Sequence, residues 1–243
     1  MNKLSLVLVS APLLFACSQP AENNKPTTEK PAVAAEKPAT IVSGTDYHSL
    51  SNPDEVRVTH LELDLTADFD KHQLIGSVTL DFDRIKDGAD TLVVDTRDLD
   101  IKQVTAEGKP VEFKLAAEDE NLGSALSISL PDAASSVIIE YATSEDASGV
   151  QWLTPAQTQG KEHPFLFTQA QAIHARSFIP LQDSPQVRVT YSAHIKTPED
   201  LLAVMSASND PDTARDGDYS FKMPQPIPSY LIALAIGHLE FKA

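Results

Sequence analysis

Two glutamines two residues apart, Gln169 and Gln171, stand among apolar and small residues in "FLFTQAQAIHARSFIPLQDSP", with His174 and Arg176 close behind. An amide offers a carbonyl acceptor and N–H donors to a ligand without placing a full charge in an apolar setting. Read as a strand, a period of two puts both glutamines on one face with Phe167 and Ile173, leaving Ala170 and Ala172 for the other. The plainer reading is that the amides pair with backbone groups at an internal boundary of the fold. Other chemistry is sparse. The histidines (His48, His60, His72, His163, His174, His194 and His238) include no pair four apart, so there is no H-E-x-x-H helix. Glu162-His163 reads as an isolated, solvated acid–imidazole pair in a loop. Asp68, Asp70, Asp81 and Asp83 lack the glycine and terminal glutamate of a calcium loop and read as the polar face of a hairpin. There is no G-x-S-x-G elbow, P-loop or dinucleotide fingerprint. These residues alone complete no catalytic constellation.

The elements that must position the glutamines are strands. From about Gly44, "VRVTHLELDLTADF" alternates through Val56 and Val58, slips near His60, and resumes at Leu61, Leu63 and Leu65. "QLIGSVTLDFDRI" follows after "DFDKH", which predicts a hairpin. "DTLVVDTRDL", "IKQVTAEGKPVEFKL", "SALSISL" and "SSVIIEYAT" continue the pattern, punctuated by Asp87-Gly88 and Glu107-Gly108-Lys109-Pro110. Later strands are expected at 186–197, 201–208, "DYSFKMPQP" and 230–241. The last is the most apolar and is expected to be central, with a short helix as the competing reading. The pattern predicts an all-β, mostly antiparallel sandwich or multi-sheet domain.

The 243 residues suit one large all-β domain or two small ones. A net charge of −16 disfavours nucleic acid and anionic lipid as partners of the folded surface. The only cysteine, Cys17, excludes an internal disulfide. It ends an apolar run that starts at Leu4 and is too short to span a bilayer. Leu14-Phe15-Ala16-Cys17 resembles a bacterial lipobox, the alternative being an ordinary secretory signal. The expected organisation is a signal peptide over 1–16, a lipidated Cys17 opening a Pro/Ala/Glu/Lys-rich disordered tether to 43, and a β domain over 44–243. Ser18 after the cysteine points to the outer membrane facing the periplasm, reached through the lipid anchor only.

The segments "GVQWLTPAQTQGKEHPFLFTQAQAIHARSFIPLQDSPQVRVTYSAHIKTPEDLLAVMSAS" and "PIPSYLIALAIGHLE" closely resemble the N-terminal domain of leukotriene A(4) hydrolase-like aminopeptidases, within the aminopeptidase N family of zinc gluzincins. The likeness extends more loosely back to Tyr47. It implies a saddle-shaped β domain packed over a zinc-bearing catalytic domain, and a peptide substrate held by its free N-terminus. In the family's Q-x-Q segment the second glutamine helps hold the substrate's α-amino group and the first lies beside it; these positions are Gln171 and Gln169. The zinc ligands, the G-x-M-E-N loop and the catalytic tyrosine of the family have no counterpart before Ala243. The resemblance therefore implies a domain inactive by itself, with zinc belonging to the full-length enzyme. The alternative is a non-catalytic, lipid-anchored binding or scaffold module.

Overall fold

A computed structural model describes residues 46–210 and 212–242. The expected signal peptide, Cys17 and tether lie outside the described residues.

The described residues form fourteen strands: β1 (Val56–Asp68), β2 (Gln73–Arg84), β3 (Thr91–Thr96), β4 (Asp100–Ala106), β5 (Lys109–Pro110), β6 (Phe113–Leu115), β7 (Ser124–Ser129), β8 (Ser136–Ala142), β9 (Val150–Leu153), β10 (Phe165–Thr168), β11 (Arg188–Lys196), β12 (Leu202–Met205), β13 (Asp218–Pro228) and β14 (Leu234–Gly237). They build a seven-stranded sheet in the order β13-β11-β1-β2-β8-β4-β5, a four-stranded sheet β12-β14-β10-β9 and a three-stranded sheet β3-β7-β6. Every pairing is antiparallel except β1 with β11. The all-β, mostly antiparallel multi-sheet expectation is borne out.

Alternation explains which face each strand buries. In β1, Leu61, Leu63 and Leu65 are buried while Glu62, Asp64 and Thr66 are exposed. β2, β8 and β11 add Val78, Leu80, Ile139, Tyr141 and Tyr191 to the same core. The slip near His60 is real: the β1–β2 register shifts between Val58 and His60. The β1–β2 turn is closed by Asp68, whose carboxylate accepts the Lys71 ammonium at 2.9 Å and the backbone N–H groups of Asp70 and Lys71. The polar-hairpin reading of those aspartates therefore holds. Glu107 and Gly108 both have positive φ, 50° and 69°. That geometry gives the tight, primed turn that joins β4 to β5.

The expected strand over 230–241 is shorter than predicted. Ser229–Leu231 forms a 3-10 turn and only Leu234–Gly237 is strand, although β14 does lie inside its sheet, between β12 and β10. One face of this four-stranded sheet is apolar and partly open. Leu153, Phe165, Leu202, Phe167, Ala235 and Val204 are each partly exposed. The strand registers place them in adjacent rows.

Candidate functional site

β10 carries the chain to the glutamines but does not include them. The strand ends at Thr168, and the segment from Gln169 to His174 turns away from the sheet. The strand reading of Gln169 and Gln171 is thus corrected, and the cause is local. The Gln169 side-chain carbonyl accepts the N–H of Gln171 at 3.0 Å, and the Ala170 carbonyl accepts the N–H of His174 at 2.8 Å. Both bonds take N–H groups that a strand would offer to its neighbour. The Gln171–Ala172 peptide bond is cis.

The two amides have different situations. Gln169 braces its own loop, close to the plainer expectation, and its N–H donates to the Gly149 carbonyl at 2.9 Å. Gln171 is exposed, and among the described residues nothing bonds its carboxamide. It lines a cleft of about 630 Å³ together with Ile173, Pro185, Tyr230 and residues 46–48.

Behind the cleft lies a buried polar cluster. A 3-10 turn, Ala175–Ser177, buries Arg176 completely. Its Nε donates to Asp183 Oδ2 at 3.0 Å, its Nη1 donates to the Leu122 carbonyl at 2.7 Å, and its Nη2 donates to the carbonyls of His48 and Asp183 at 2.8 and 3.0 Å. Asp95, also fully buried, lies 3.7 Å from Nη1. It accepts the Ser49 hydroxyl and the N–H groups of Leu50 and Asp183. Ser229, at the start of the 3-10 turn before β14, donates to Asp183 Oδ1 at 2.6 Å. Burial pushes the Asp95 carboxyl above its ordinary value, with the Arg176 guanidinium pulling against it. Each guanidinium nitrogen donates to at least one acceptor, so the cluster fixes the geometry of the surrounding segments.

Residues 46–52 form a strap tied across this cluster. Besides the bonds from His48, Ser49 and Leu50, Asn52 donates to the Thr91 carbonyl at 2.9 Å and accepts the Val93 N–H at 2.8 Å. Asp46 accepts the Ser184 hydroxyl at 2.6 Å and the His48 N–H at 2.9 Å. Partial burial raises the Asp46 carboxyl, but the bonds from Ser184 and His48 outweigh it and leave the group below its ordinary value. Gln182 serves the fold beside the site: it accepts the Val58 N–H and donates to the Val56 carbonyl, standing in for a strand neighbour at the start of β1.

The motif residues Arg176, Gln182 and Asp183 carry these roles, which the sequence analysis did not assign to them. Asp95 sits 88 residues upstream of Asp183, in β3. The one available signal was charge inside apolar runs: "LVVDT" and "AIHARSFIPLQD" each set an ionisable residue where a core residue is expected.

The remaining histidines have structural contacts. His163 is partly buried and its ring stacks on His238 at 4.6 Å, which corrects the solvated reading of Glu162-His163 for the imidazole. His194 reaches Asp218 and Asp64 across neighbouring strands at 2.8 and 3.3 Å, and His60 reaches Thr190 at 2.6 Å. Among the described residues no group of three His, Cys, Asp or Glu side chains could hold a metal ion.

Comparison with known proteins places this architecture. Residues 57–231 match the Peptidase M1 N-terminal domain, and the chain belongs to that family. It is 40% identical over 205 residues to leukotriene A-4 hydrolase of Xenopus laevis, covering 80% of this chain and 34% of that one. It is 38% identical over 211 residues to leucine aminopeptidase 2 of Aspergillus terreus, covering 83% and 34%. The structure of yeast LTA4 hydrolase in complex with bestatin superposes with a TM-score of 0.76 at 33% identity, covering 84% of this chain and 32% of that chain. An M1 zinc metallopeptidase of Deinococcus radiodurans shares the fold, with a TM-score of 0.59 at 20% identity, covering 75% of this chain and 42% of that chain. The family resemblance carried by "GKEHPFLFTQAQAIHAR" and "PIPSYLIAL" is therefore borne out. The chain spans about a third of the length of the curated relatives it matches. The zinc of such enzymes has no fitting ligand set among the described residues.

Proposed function

We propose that this β domain is the substrate-amine shelf of a zinc aminopeptidase, with Gln171 accepting a hydrogen bond from the N-terminal ammonium of a peptide and Gln169 holding the Gln171 loop in shape. The observation that carries this reading is the placement of Gln171: an unbonded carboxamide in an open cleft, on a loop pinned from behind by Arg176. An ammonium needs acceptors, and an amide carbonyl fixed on a rigid support supplies one without the cost of burying a charge. Of the relatives, one is named a hydrolase and the other, leucine aminopeptidase 2, a peptidase, which supports a hydrolase acting on peptides.

Zinc and its water-activating chemistry belong, in this reading, to a catalytic domain outside the described residues. The partly open apolar face of the four-stranded sheet is the surface such a domain would cover. The described residues are assigned no turnover of their own. Cys17 is assigned a lipid anchor, which would hold the shelf at the periplasmic side of the outer membrane; an unmodified Cys17 in the mature protein would remove that assignment.

Titrating the chain with L-phenylalaninamide tests the shelf. Gln171→Ala is expected to weaken binding about tenfold, as for loss of a hydrogen bond to a charged group. Equal affinity would remove Gln171 from the site. Chelator-sensitive hydrolysis of an amino-acyl anilide by this chain alone would overturn the assignment of zinc to another domain.

A further inference from the structure

β6 is the outer strand of the three-stranded sheet and pairs with β7 alone. The register decides which of its main-chain groups face outward. The Glu112 carbonyl accepts the Ser129 N–H at 2.9 Å, and the Ala116 N–H donates to the Ala125 carbonyl at 2.9 Å. Bonding residues alternate along an antiparallel ladder, so Lys114, midway between them, also faces β7 and pairs with Ser127. The N–H and C=O groups of Phe113 and Leu115 therefore point out of the sheet edge. Among the described residues nothing bonds them there.

Other edges of this fold are plugged. The Asn52 carboxamide bonds Thr91 and Val93 along β3. Asn209 does the same for β12: its Oδ1 accepts the Met205 N–H at 3.0 Å and its Nδ2 donates to the Met205 carbonyl at 2.8 Å. In β13 the Lys222 carbonyl accepts the Ser208 N–H, and Pro224 and Pro226 have no N–H to offer. The side chains of β6 add to its exposure. Phe113 and Leu115 stand opposite buried Ile128 and Leu126, yet are 38% and 44% exposed. A strand laid along this edge would cover apolar surface and satisfy the outward main-chain groups together.

We propose that the free edge of β6 is a docking site for an extended, lysine- or arginine-bearing segment of another protein, which joins the sheet as a further strand. Charge selects that occupant. Every residue from Glu112 to Asn121 is exposed. Within that run Glu112, Glu118, Asp119 and Glu120 stand against Lys114 alone. The whole chain carries −16, so a second copy would bring like charge to the same edge. The proposal is independent of Gln171 and its cleft.

The experiment adds to the full chain an acetylated, amidated hexapeptide that alternates valine and lysine, or the same peptide with glutamate for lysine. The blocked terminus keeps both apart from the amine-binding role given to Gln171. Amide hydrogen exchange is read residue by residue. With the lysine peptide at about ten times its Kd, exchange at Phe113 and Leu115 should slow about tenfold. The Lys114 N–H, already bonded to β7, should change little, and the glutamate peptide should protect neither residue. Leu115→Pro removes an outward N–H and no ladder bond, so it should abolish the protection of Phe113 while the urea midpoint stays close to that of the unmodified chain. Leu115→Lys keeps every main-chain bond and should abolish binding of the lysine peptide by like charge. Absence of protection in the unmodified chain overturns the proposal, as does equal protection by the two peptides. Unchanged binding by the variants places the peptide elsewhere and also overturns it. Protection that grows with chain concentration before peptide is added puts a second copy on the edge, with the same consequence.

Discussion

Arg176→Met is expected to destabilise the domain by about 3–5 kcal/mol, the usual cost of removing one partner from a buried ion pair. The guanidinium is fully buried beside two fully buried carboxylates, Asp183 at 3.0 Å and Asp95 at 3.7 Å. Methionine fills much of the volume but leaves both carboxylates facing a low dielectric. It also orphans the carbonyls of His48, Leu122 and Asp183 that the guanidinium now satisfies. Urea unfolding at pH 7 measures the loss, and its pH dependence separates charge from packing. In the folded protein burial already raises Asp95 above its ordinary 3.8, against the pull of Arg176. Without that pull the folded-state value rises further. A carboxyl with a raised folded value binds its proton more tightly in the native state than in the unfolded one. Stability therefore falls as pH rises through the window from 3.8 upward. The deficit of Arg176→Met should be largest at pH 7 and should shrink as pH is lowered towards 3.8. A deficit that stays constant from pH 7 down to pH 3.8 would mean that lost packing, not stranded charge, dominates.

The second large effect is expected at Gly149. A Cβ there would lie 2.6 Å from the His174 carbonyl oxygen, 2.8 Å from Ser177 Oγ and 3.0 Å from Phe178 Cδ1. The first of these is backbone of the segment that carries Gln171. The N–H of Gly149 also donates to Ser177 Oγ at 2.8 Å, so the two segments are already in contact. Gly149→Ala must push the 3-10 turn away from β9, at about 1–3 kcal/mol for an overpacked site. That displacement also tilts the loop from Gln169 to His174, whose first N–H is held by the Gly149 carbonyl. Gly149→Ala is therefore expected to lower both the urea midpoint and the affinity for L-phenylalaninamide. An unchanged affinity would show that the loop is positioned by the Arg176 cluster alone.

The parts of this protein legible in its sequence are those governed by neighbouring residues. The β1–β2 hairpin, the bulge beside His60 and the Glu107-Gly108 turn follow from alternation and turn chemistry within a dozen residues. The division into three sheets does not. β4 and β8 join the seven-stranded sheet while β3 and β7, which read much the same, form another. That choice depends on which edges meet across the whole chain. The glutamine pair was singled out as a candidate site through resemblance, and its backbone was misread. "FLFTQAQAI" alternates as a strand would, and only the bond from Gln171 N–H to the Gln169 side chain reveals a turn.

The cluster around Arg176 also sets the order in which this fold can become complete. Its members run from His48 through Leu122 and Asp183 to Ser229, and the Arg176 bond to His48 alone spans 128 positions. β1 forms its hairpin with β2 at once, but its other edge must wait for β11, 130 positions along at the His60–Thr190 contact. A ribosome therefore exposes an unpaired, apolar-backed strand for most of the domain's synthesis. Such high contact order makes folding slow and leaves an open sheet edge to be shielded meanwhile. Closure then comes late: the strap over Arg176 and the parallel β1–β11 pair both join residues more than a hundred positions apart.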